Sequence, residues 1–126
     1  MLSNQGQAAE VVKILDPVSA AATVNATSGW VDVRKYEGDI IIVAQVGALT
    51  GTIAWTVEDA TDGAGAGGAG FTGLLEGAFG AVTANNIQKR TIRARSTRGF
   101  IRIVGTIVTG PSLVAVKLLG HPKYTV

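Results

Sequence analysis

The stretch IIIVAQV, residues 40–46, is a nearly continuous apolar segment on which the fold of this chain depends. No residue in it is charged, and only Gln45 is polar. A run of this length and composition is typical of a central β-strand that is covered on both faces. We therefore expect a buried central strand here, with Ile41 or Ile42 among the least exposed residues.

The sequence that follows this run, GALTGTIAWTVE, predicts a tight connection and a second strand. Gly47–Gly51 is short and glycine-bounded, as a connection between strands requires. Thr52–Glu58 then alternates between apolar and polar residues, which places Ile53, Trp55 and Val57 on one face of a strand. This face is expected to pack into a core.

Other strand-like segments lie on both sides of this stretch, separated by turn signals. They are Val12–Leu15, Ala22–Ala26, Trp30–Arg34, Phe71–Leu75, Ala78–Thr83, Ile87–Ser96, Gly99–Val108 and Leu113–Leu119. With the two segments above, and with Phe71–Leu75 and Ala78–Thr83 as weak strands, the chain has about eight short strands at a spacing that predicts an all-β, single-domain antiparallel β-sandwich or a jelly-roll-like barrel. We expect the domain to comprise residues 11–126. An alternative for Ala8–Leu15 is one or two helical turns, which Pro17 would limit.

Residues 1–10 are predicted to form a flexible N-terminal arm. After Leu2 the first nine residues carry only small and polar side chains. Ordering a residue costs roughly 1–2 kcal/mol, which such side chains cannot offset alone. We expect the arm to be mobile in the free protein and to order only against a neighbour.

The composition limits the classes of protein to consider. The chain has 126 residues, enough for one domain with a sizeable core. No apolar run approaches the roughly 20 residues of a membrane span, and the N-terminus lacks the layout of a signal peptide. Cys is absent, which excludes disulfides and thiolate chemistry and suits synthesis in a reducing cytoplasm.

Charge is distributed unevenly along the chain. Residues 1–76 carry nine acidic and three basic residues, whereas residues 77–126 carry eight basic residues and no acidic one. The densest basic part is Lys89, Arg90, Arg93, Arg95, Arg98 and Arg102. This cluster could bind a polyanion, or it could meet acidic surface on its own chain, on another copy or on another protein.

We favour a protein interface because aromatic residues that would stack on bases are nearly absent nearby, and we expect no specific nucleic acid. The predicted interaction residues are Arg93, Arg95, Arg98 and Arg102. Arg93 and Arg95 should share one exposed strand face.

The glycine-rich run DGAGAGGAG, residues 62–70, raises the question of a phosphate-binding loop. A P-loop requires Lys and Ser or Thr after its last glycine, but Phe71 and Thr72 follow Gly70. A dinucleotide fingerprint requires a helix after the loop, and Gly73, Gly77 and Gly80 make a long helix unfavourable. We therefore predict a flexible surface loop between two strands, and no cofactor.

Candidate catalytic and metal-binding residues are few. His121, the single histidine, lies in a predicted turn between glycine and proline and lacks evident catalytic partners. The acidic cluster of Glu58, Asp59 and Asp62 could hold a calcium ion loosely, although its spacing does not fit an EF-hand loop. A solvated turn is the preferred interpretation. We expect no catalysis and no metal.

Two segments resemble small virion proteins of tailed phages that are encoded among head-assembly genes. They are WVDVRKYEGDIIIVAQVGALTGTIAW, residues 30–55, and GFIRIVGTIVTGPSLVAVKLLGHPKYTV, residues 99–126. The shared features are a VDV start, an apolar strand, a G-x-x-TGT hairpin, and a C-terminal half with Arg near aromatic and aliphatic residues. This resemblance implies an all-β protein that assembles on or near the capsid.

The function expected from the sequence is that of a capsid decoration or cement protein, made in the host cytoplasm and located on the virion surface. Its expected partners are the major capsid protein and further copies of itself, as a dimer or trimer, with no membrane. Two alternatives stay open. One is a tail or head–tail joining protein of similar fold; the other is a carbohydrate-binding sandwich that uses Trp30 or Trp55 as a stacking platform. Core packing is the preferred interpretation of both tryptophans, because both lie in alternating strand patterns.

Overall fold

A computed structural model describes residues 10–122, and it is an all-β sandwich of two antiparallel sheets. The strands are β1 (Glu10–Ala20), β2 (Val31–Asp32), β3 (Tyr36–Leu49), β4 (Thr52–Ala60), β5 (Ala69–Gly70), β6 (Asn86–Arg93), β7 (Phe100–Val108) and β8 (Ser112–Pro122). The first sheet has the order β1-β8-β3-β6 and the second has the order β2-β7-β4-β5. The predicted sandwich is confirmed. Apart from Glu10, which begins β1, the predicted N-terminal arm lies outside the described residues.

β3 is a central strand of the first sheet, as predicted, with β8 and β6 on its two sides. Ile40 and Ile42 are fully buried, which confirms the expectation for Ile42. Ile41 and Val43, however, are only partly buried. The strand is therefore covered on one face, and the prediction that both faces are covered is wrong. The outer face of the first sheet is open.

The strand that contains residues 40–46 and the strand that follows it lie in different sheets. β3 pairs with β6 and β8, whereas β4 pairs with β5 and β7. The short connection between β3 and β4 therefore crosses from one sheet to the other and is not a hairpin within a sheet. The connection from β7 to β8 crosses back beside it, and the Thr50 N–H donates to the Pro111 carbonyl at 3.1 Å. These crossings explain how alternating strands can both face one core.

The core lies between the two sheets. β4 contributes Ile53, Trp55 and Val57, all at most 3% exposed, as the alternation predicts. The largest fully buried side chains also include Tyr36, Ile40, Ile42, Ile92, Ile101, Ile103 and Leu118. Burying a side chain of this size contributes roughly 1.5–3 kcal/mol, so this layer supplies most of the driving force for folding.

Several predicted strands are absent from the described chain. Thr23–Ala26 forms a 3-10 turn in place of a strand, because the Thr23 hydroxyl accepts the Ile107 N–H and the Thr27 hydroxyl donates to the Thr23 carbonyl. Trp30–Arg34 contains only the two-residue β2. The strand predicted to run to Ser96 ends at Arg93, and Ala94–Ser96 is a second 3-10 turn.

Residues 71–85 form an irregular loop, so the strands predicted at Phe71–Leu75 and Ala78–Thr83 are wrong. Isolated bridges join this loop to the sheets, between Leu74 and Ile92 and between Val82 and Ile53, and the Phe71 N–H donates to the Val57 carbonyl at 2.8 Å. Side chains take the place of a ladder. Arg90 donates to the carbonyls of Gly77 and Ala78, for example. The glycines of the loop favour such irregular backbone.

The two ends of the chain also differ from the prediction. From Glu10 onward the N-terminal segment is a strand, so the helical alternative is excluded for the described part. The last strand extends to Pro122, so the predicted turn at residues 120–122 belongs to β8. Within residues 10–122, no helix is long and apolar enough to cross a membrane.

Candidate functional site

Three of the four predicted interaction residues converge on one groove, which we call the arginine groove. It has a volume of about 770 Å³ and lies between residues 33–39 and residues 93–99 at one end of the sandwich. Arg93 ends β6, Arg95 lies in the second 3-10 turn, and Arg98 precedes β7. Because the strand ends at Arg93, the expectation that Arg93 and Arg95 share one strand face is wrong. The turn still brings both to the same groove.

Arg98 is engaged inside the protein. Its Nη2 donates to the Asp59 carbonyl at 2.6 Å and to Asp59 Oδ1 at 3.0 Å, and its backbone N–H donates to Oδ2 at 3.1 Å. Asp59 is only 7% exposed. A buried carboxylate requires such partners, so Arg98 holds β4 to the segment that leads into β7.

Arg102 lies outside the groove, on the outer face of the second sheet. Its Nε donates to Glu58 Oε1 at 2.6 Å, across the β4–β7 pair. Its guanidinium also stacks over the Trp30 ring, 4.7 Å from the ring centroid. Arg98 and Arg102 thus meet acidic residues of their own chain, one of the alternatives that the charge pattern left open.

Arg93 and Arg95 remain exposed in the groove. Within residues 10–122 no carboxylate oxygen lies within 4 Å of either guanidinium. The opposite wall of the groove carries Glu37 and Asp39, and Asp39 is the cross-strand neighbour of Arg93. The groove therefore offers two available cations beside two carboxylates, an arrangement suited to hydrogen-bonded docking of a polar protein surface.

Arg34 also lines the groove, although it is not among the predicted interaction residues. It donates to Asp32 through Nε at 3.0 Å and through Nη2 at 2.8 Å, and it stacks over Phe100 at 4.8 Å. The hydrogen bonds from Arg34 lower the pKa of the Asp32 carboxyl. The spacing of Asp32 and Arg34 is the signal that could have revealed the pair, because an Asp side chain in a turn often accepts the N–H two residues on, as Asp32 Oδ1 accepts the Arg34 N–H at 2.9 Å.

The glycine-rich loop is a folded turn that packs against Trp30. Asp62 Oδ1 accepts the N–H groups of Ala64 and Ala66 at 2.9 and 3.0 Å, which lowers the pKa of this carboxyl. Gly65 has φ +86°, and a Cβ there would lie 2.5 Å from Trp30 Nε1. Glycine is thus required for both backbone and space. The segment is a surface loop between two strands, as predicted, and its predicted flexibility stays a prediction. The N–H groups of Ala64, Gly65, Ala66 and Gly68 donate to acceptors within the loop.

The acidic cluster before this loop does not converge. Glu58 pairs with Arg102, Asp59 pairs with Arg98, and Asp62 caps the loop. Between residues 10 and 122 no three His, Asp or Glu side chains are placed to hold a metal ion together. His121 lies in β8 opposite Glu37 of β3 and is partly exposed.

The two tryptophans occupy different environments. Trp55 is 3% exposed and belongs to the core, which excludes it as a stacking platform for a sugar. Trp30 is partly buried between Arg102 and the glycine-rich loop. The preferred interpretation of both tryptophans as core residues is therefore confirmed for Trp55 and wrong for Trp30, which is not part of the buried core.

No protein-family model matches the chain, and no curated protein matches it in sequence. Among solved structures, the fold is similar to that of the SPBc2 prophage-derived protein YomS, with a TM-score of 0.56 and 11% identity over 89% of this chain and 91% of that chain. This likeness shows a shared fold over nearly the whole length of both chains.

Two other solved structures are more distant. A protein of Bacillus endospore appendages, described as disulfide-linked pili, has a TM-score of 0.46 and 13% identity over 97% of this chain and 96% of that chain. A carbohydrate-binding module of Cellvibrio mixtus lichenase 5A has a TM-score of 0.34 and 13% identity over 90% of this chain and 86% of that chain. Neither likeness is strong enough to carry an argument.

Proposed function

We propose that this protein is a non-catalytic structural component of a phage virion, and that it attaches to the lattice of the major capsid protein as a decoration or cement protein. A protein that binds only the assembled lattice shifts the equilibrium toward assembly by mass action. Because a lattice offers many equivalent sites, weak contacts per copy can add to a large total stabilisation.

The observation that carries this proposal is the match in fold with a prophage-derived protein along nearly the whole chain. This match comes from the arrangement of strands, at 11% sequence identity. The resemblance to phage virion proteins rests instead on the sequence of residues 30–55 and 99–126. The fold and the sequence pattern both support a phage origin.

The arginine groove supplies contacts that this function requires. Arg93 and Arg95 are exposed, and the planar guanidinium of each can hold a carboxylate with two hydrogen bonds. Arg102, which pairs with Glu58, is excluded from the proposed contact set because its substitution would disturb the protein itself.

A tail or head–tail joining protein could have the same fold, so the location in the particle separates this alternative from the proposal. The experiment mixes the purified protein with empty, DNA-free heads of the parent phage that lack it, and separately with linear DNA. We expect saturable binding to the heads, visible as added density on the capsid surface by electron microscopy. Tight binding to DNA without binding to heads would overturn the proposal, and density confined to the connector or tail would favour the alternative.

A matched pair of variants tests the arginine groove in the same assay. R93Q/R95Q removes two positive charges from the groove, whereas T52E/T106E adds two negative charges to exposed positions on the outer face of the second sheet. Both variants have the same formal net charge. We expect R93Q/R95Q to weaken attachment by about three- to thirtyfold, because exposed ion pairs contribute up to about 1 kcal/mol each. The control T52E/T106E should not weaken it. Equal weakening by both variants would mean that net charge, and not the groove, controls attachment.

A further inference from the structure

The outer face of the first sheet is a second surface with an uneven distribution of charge and apolar residues. Cross-strand pairing places Lys13, Lys117, Val43 and Lys89 in one row across β1, β8, β3 and β6. Residues in register on neighbouring strands share a face, so the three lysines point to the same side. Lys13 is paired with Asp16 at 3.0 Å. Lys89 and Lys117 are exposed, with no carboxylate within 4 Å among the residues that the structure describes.

Apolar side chains flank this lysine row on both sides. On one side Val11, Leu119 and Ile41 are in register with the polar Thr91, whose hydroxyl donates to Glu76; on the other, Ala115 and Ile87 flank Gln45 in register. Val11 is 62% exposed and Ile87 is 64% exposed. Leu113, with Pro17 and Val18, borders a groove of about 410 Å³ on the same face. A face that combines exposed aliphatic residues with cations is typical of an interaction surface.

We infer that this outer face docks onto a partner protein whose surface combines apolar residues with carboxylates. This inference rests on the proposed function, in which the partner is the capsid lattice, and it adds the chemistry of the contact. Carboxylates opposite Lys89 and Lys117 would complement the charge of the row, and apolar groups would cover the aliphatic residues on its two sides.

A second copy of this chain fits the face poorly. If two copies packed face to face about a twofold axis parallel to the strands, Lys13 of one copy would lie against Lys89 of the other. A twofold axis over the lysine row would set that row against itself. Like charges brought together at an interface cost free energy, so either arrangement favours a different partner.

Nucleic acid and membrane are also poorer occupants. Phosphates would leave the aliphatic residues beside the lysines without partners. A membrane-binding surface would be expected to carry Trp or Tyr at the headgroup level, and the described residues of this face include no aromatic side chain.

The area of the outer face is that of a modest contact, which would have to be repeated at many positions to be effective. Four strands about 4.8 Å apart and about ten residues long, at ~3.3 Å per residue, span roughly 600 Å². A standard interface buries about 800 Å² per partner, so a single contact of this size is modest. Attachment at many lattice positions would make it effective.

The test uses two face variants, each with a matched control on the second sheet. K89Q/K117Q is compared with T52E/T106E, which has the same formal net charge, and I87S is compared with V108S. Ile87 and Val108 are 64% and 63% exposed, so the serine substitutions remove similar apolar surface from the two faces. Each variant is mixed with empty heads that lack the protein, and circular dichroism verifies folding.

We expect K89Q/K117Q to weaken attachment about five- to tenfold and to reduce its dependence on salt, because two exposed ion pairs are lost. We expect I87S to weaken attachment by up to about tenfold, since part of a buried aliphatic side chain is lost. The control variants should bind as the wild type does.

Three results would overturn the inference. If the face variants bind as tightly as the wild type, the face is not used, although the proposed function stands. If the controls weaken attachment as much as the face variants, the position of the contact is wrong. If the wild type binds no heads, or binds vesicles of equal phosphatidylserine and phosphatidylcholine more tightly than heads, the proposed function fails together with the inference.

Discussion

Individual arginines with similar sequence surroundings have different roles in this protein. Arg93 and Arg98 both belong to the basic cluster, but Arg98 binds the buried Asp59 while Arg93 has no carboxylate within 4 Å in the described chain. The difference arises because the turn at residues 94–99 places Arg98 beside the end of β4. This contact is set by tertiary structure, so no local sequence pattern reveals it.

At the residue scale, we predict that R98A destabilises the protein by about 2 kcal/mol, whereas R93A changes the free energy of unfolding by less than about 0.5 kcal/mol. Removing Arg98 leaves the Asp59 carboxylate, which is 7% exposed, without its charged donor. Urea denaturation of the two variants and the wild type measures the difference. An equal, small effect of both substitutions would contradict the structural role of Arg98.

At the scale of elements, alternation between apolar and polar residues was an accurate guide to β4 and β7, each of which has one face in the core. The bounds predicted for the strands that became β4 and β7 lie within two residues of those observed. The apolar run of β3 identified a central strand, but composition alone could not show that Ile41 and Val43 face outward. Whether a second layer covers a strand depends on the rest of the chain.

The sequence was a poor guide where side chains replace a β-ladder. Residues 71–85 contain apolar residues at strand-like spacing, yet side-chain hydrogen bonds hold them in place. Arg90 donates to the Gly77 carbonyl, Gln88 both donates to and accepts from the Gly80 backbone, and Glu76 accepts from the Thr91 N–H. The arginine groove was predictable only in part, because Arg93, Arg95 and Arg98 are neighbours in sequence, whereas Glu37 and Asp39 reach them through the pairing of β3 with β6.

The loop at residues 71–85 gives a prediction about pH. Glu76 accepts the Thr91 N–H at 2.6 Å and the Thr91 hydroxyl at 2.8 Å. Both hydrogen bonds lower the pKa of the Glu76 carboxyl below its ordinary value of 4.5, and the bond from the N–H has the larger effect. A lowered carboxyl pKa stabilises the folded state above pH 4.5, and this contribution is lost as pH falls through the lowered value.

We therefore expect the wild type to be more stable than E76Q at pH 6, and this difference to shrink progressively below pH 4.5. Gln keeps an acceptor oxygen but cannot ionise, which makes E76Q the appropriate reference. Urea denaturation at a series of pH values gives the difference in free energy of unfolding, and hydrogen exchange of the Thr91 amide reports on the loop itself. A difference that stays constant from pH 6 to pH 3 would show that ionisation of Glu76 does not hold the loop.

At the scale of the whole molecule, the uneven charge of the sequence does not produce an acidic half and a basic half. The basic strands β6, β7 and β8 are divided between the two sheets, and β7 pairs with β4, which carries Glu58 and Asp59. The charges of the two sequence halves therefore interleave across the sandwich. The basic side chains that remain exposed are concentrated in two places: arginines in the arginine groove and lysines on the outer face of the first sheet.

The two tryptophans provide a test of whether the sandwich and its glycine-rich loop unfold as one unit. Trp55 is in the core, and Trp30 contacts Gly65 and Gly68 of the loop. The loop is tied to the second sheet through Trp30 and through the short β4–β5 pairing, so opening it would expose part of that sheet. A single domain of this size is expected to unfold in one cooperative transition.

W30F and W55F each keep one tryptophan as a fluorescent probe. We predict that the fluorescence of the remaining tryptophan changes at the same urea concentration as the circular dichroism signal of β-structure in the same variant. Because each substitution changes stability, the fluorescence transition of each variant is compared with its own circular dichroism transition in urea. If the signal of Trp30 in W55F changes at clearly lower urea than the circular dichroism of the same variant, the loop opens before the sandwich. In that case the loop, and not the whole sandwich, would be the unit that responds first to a binding partner.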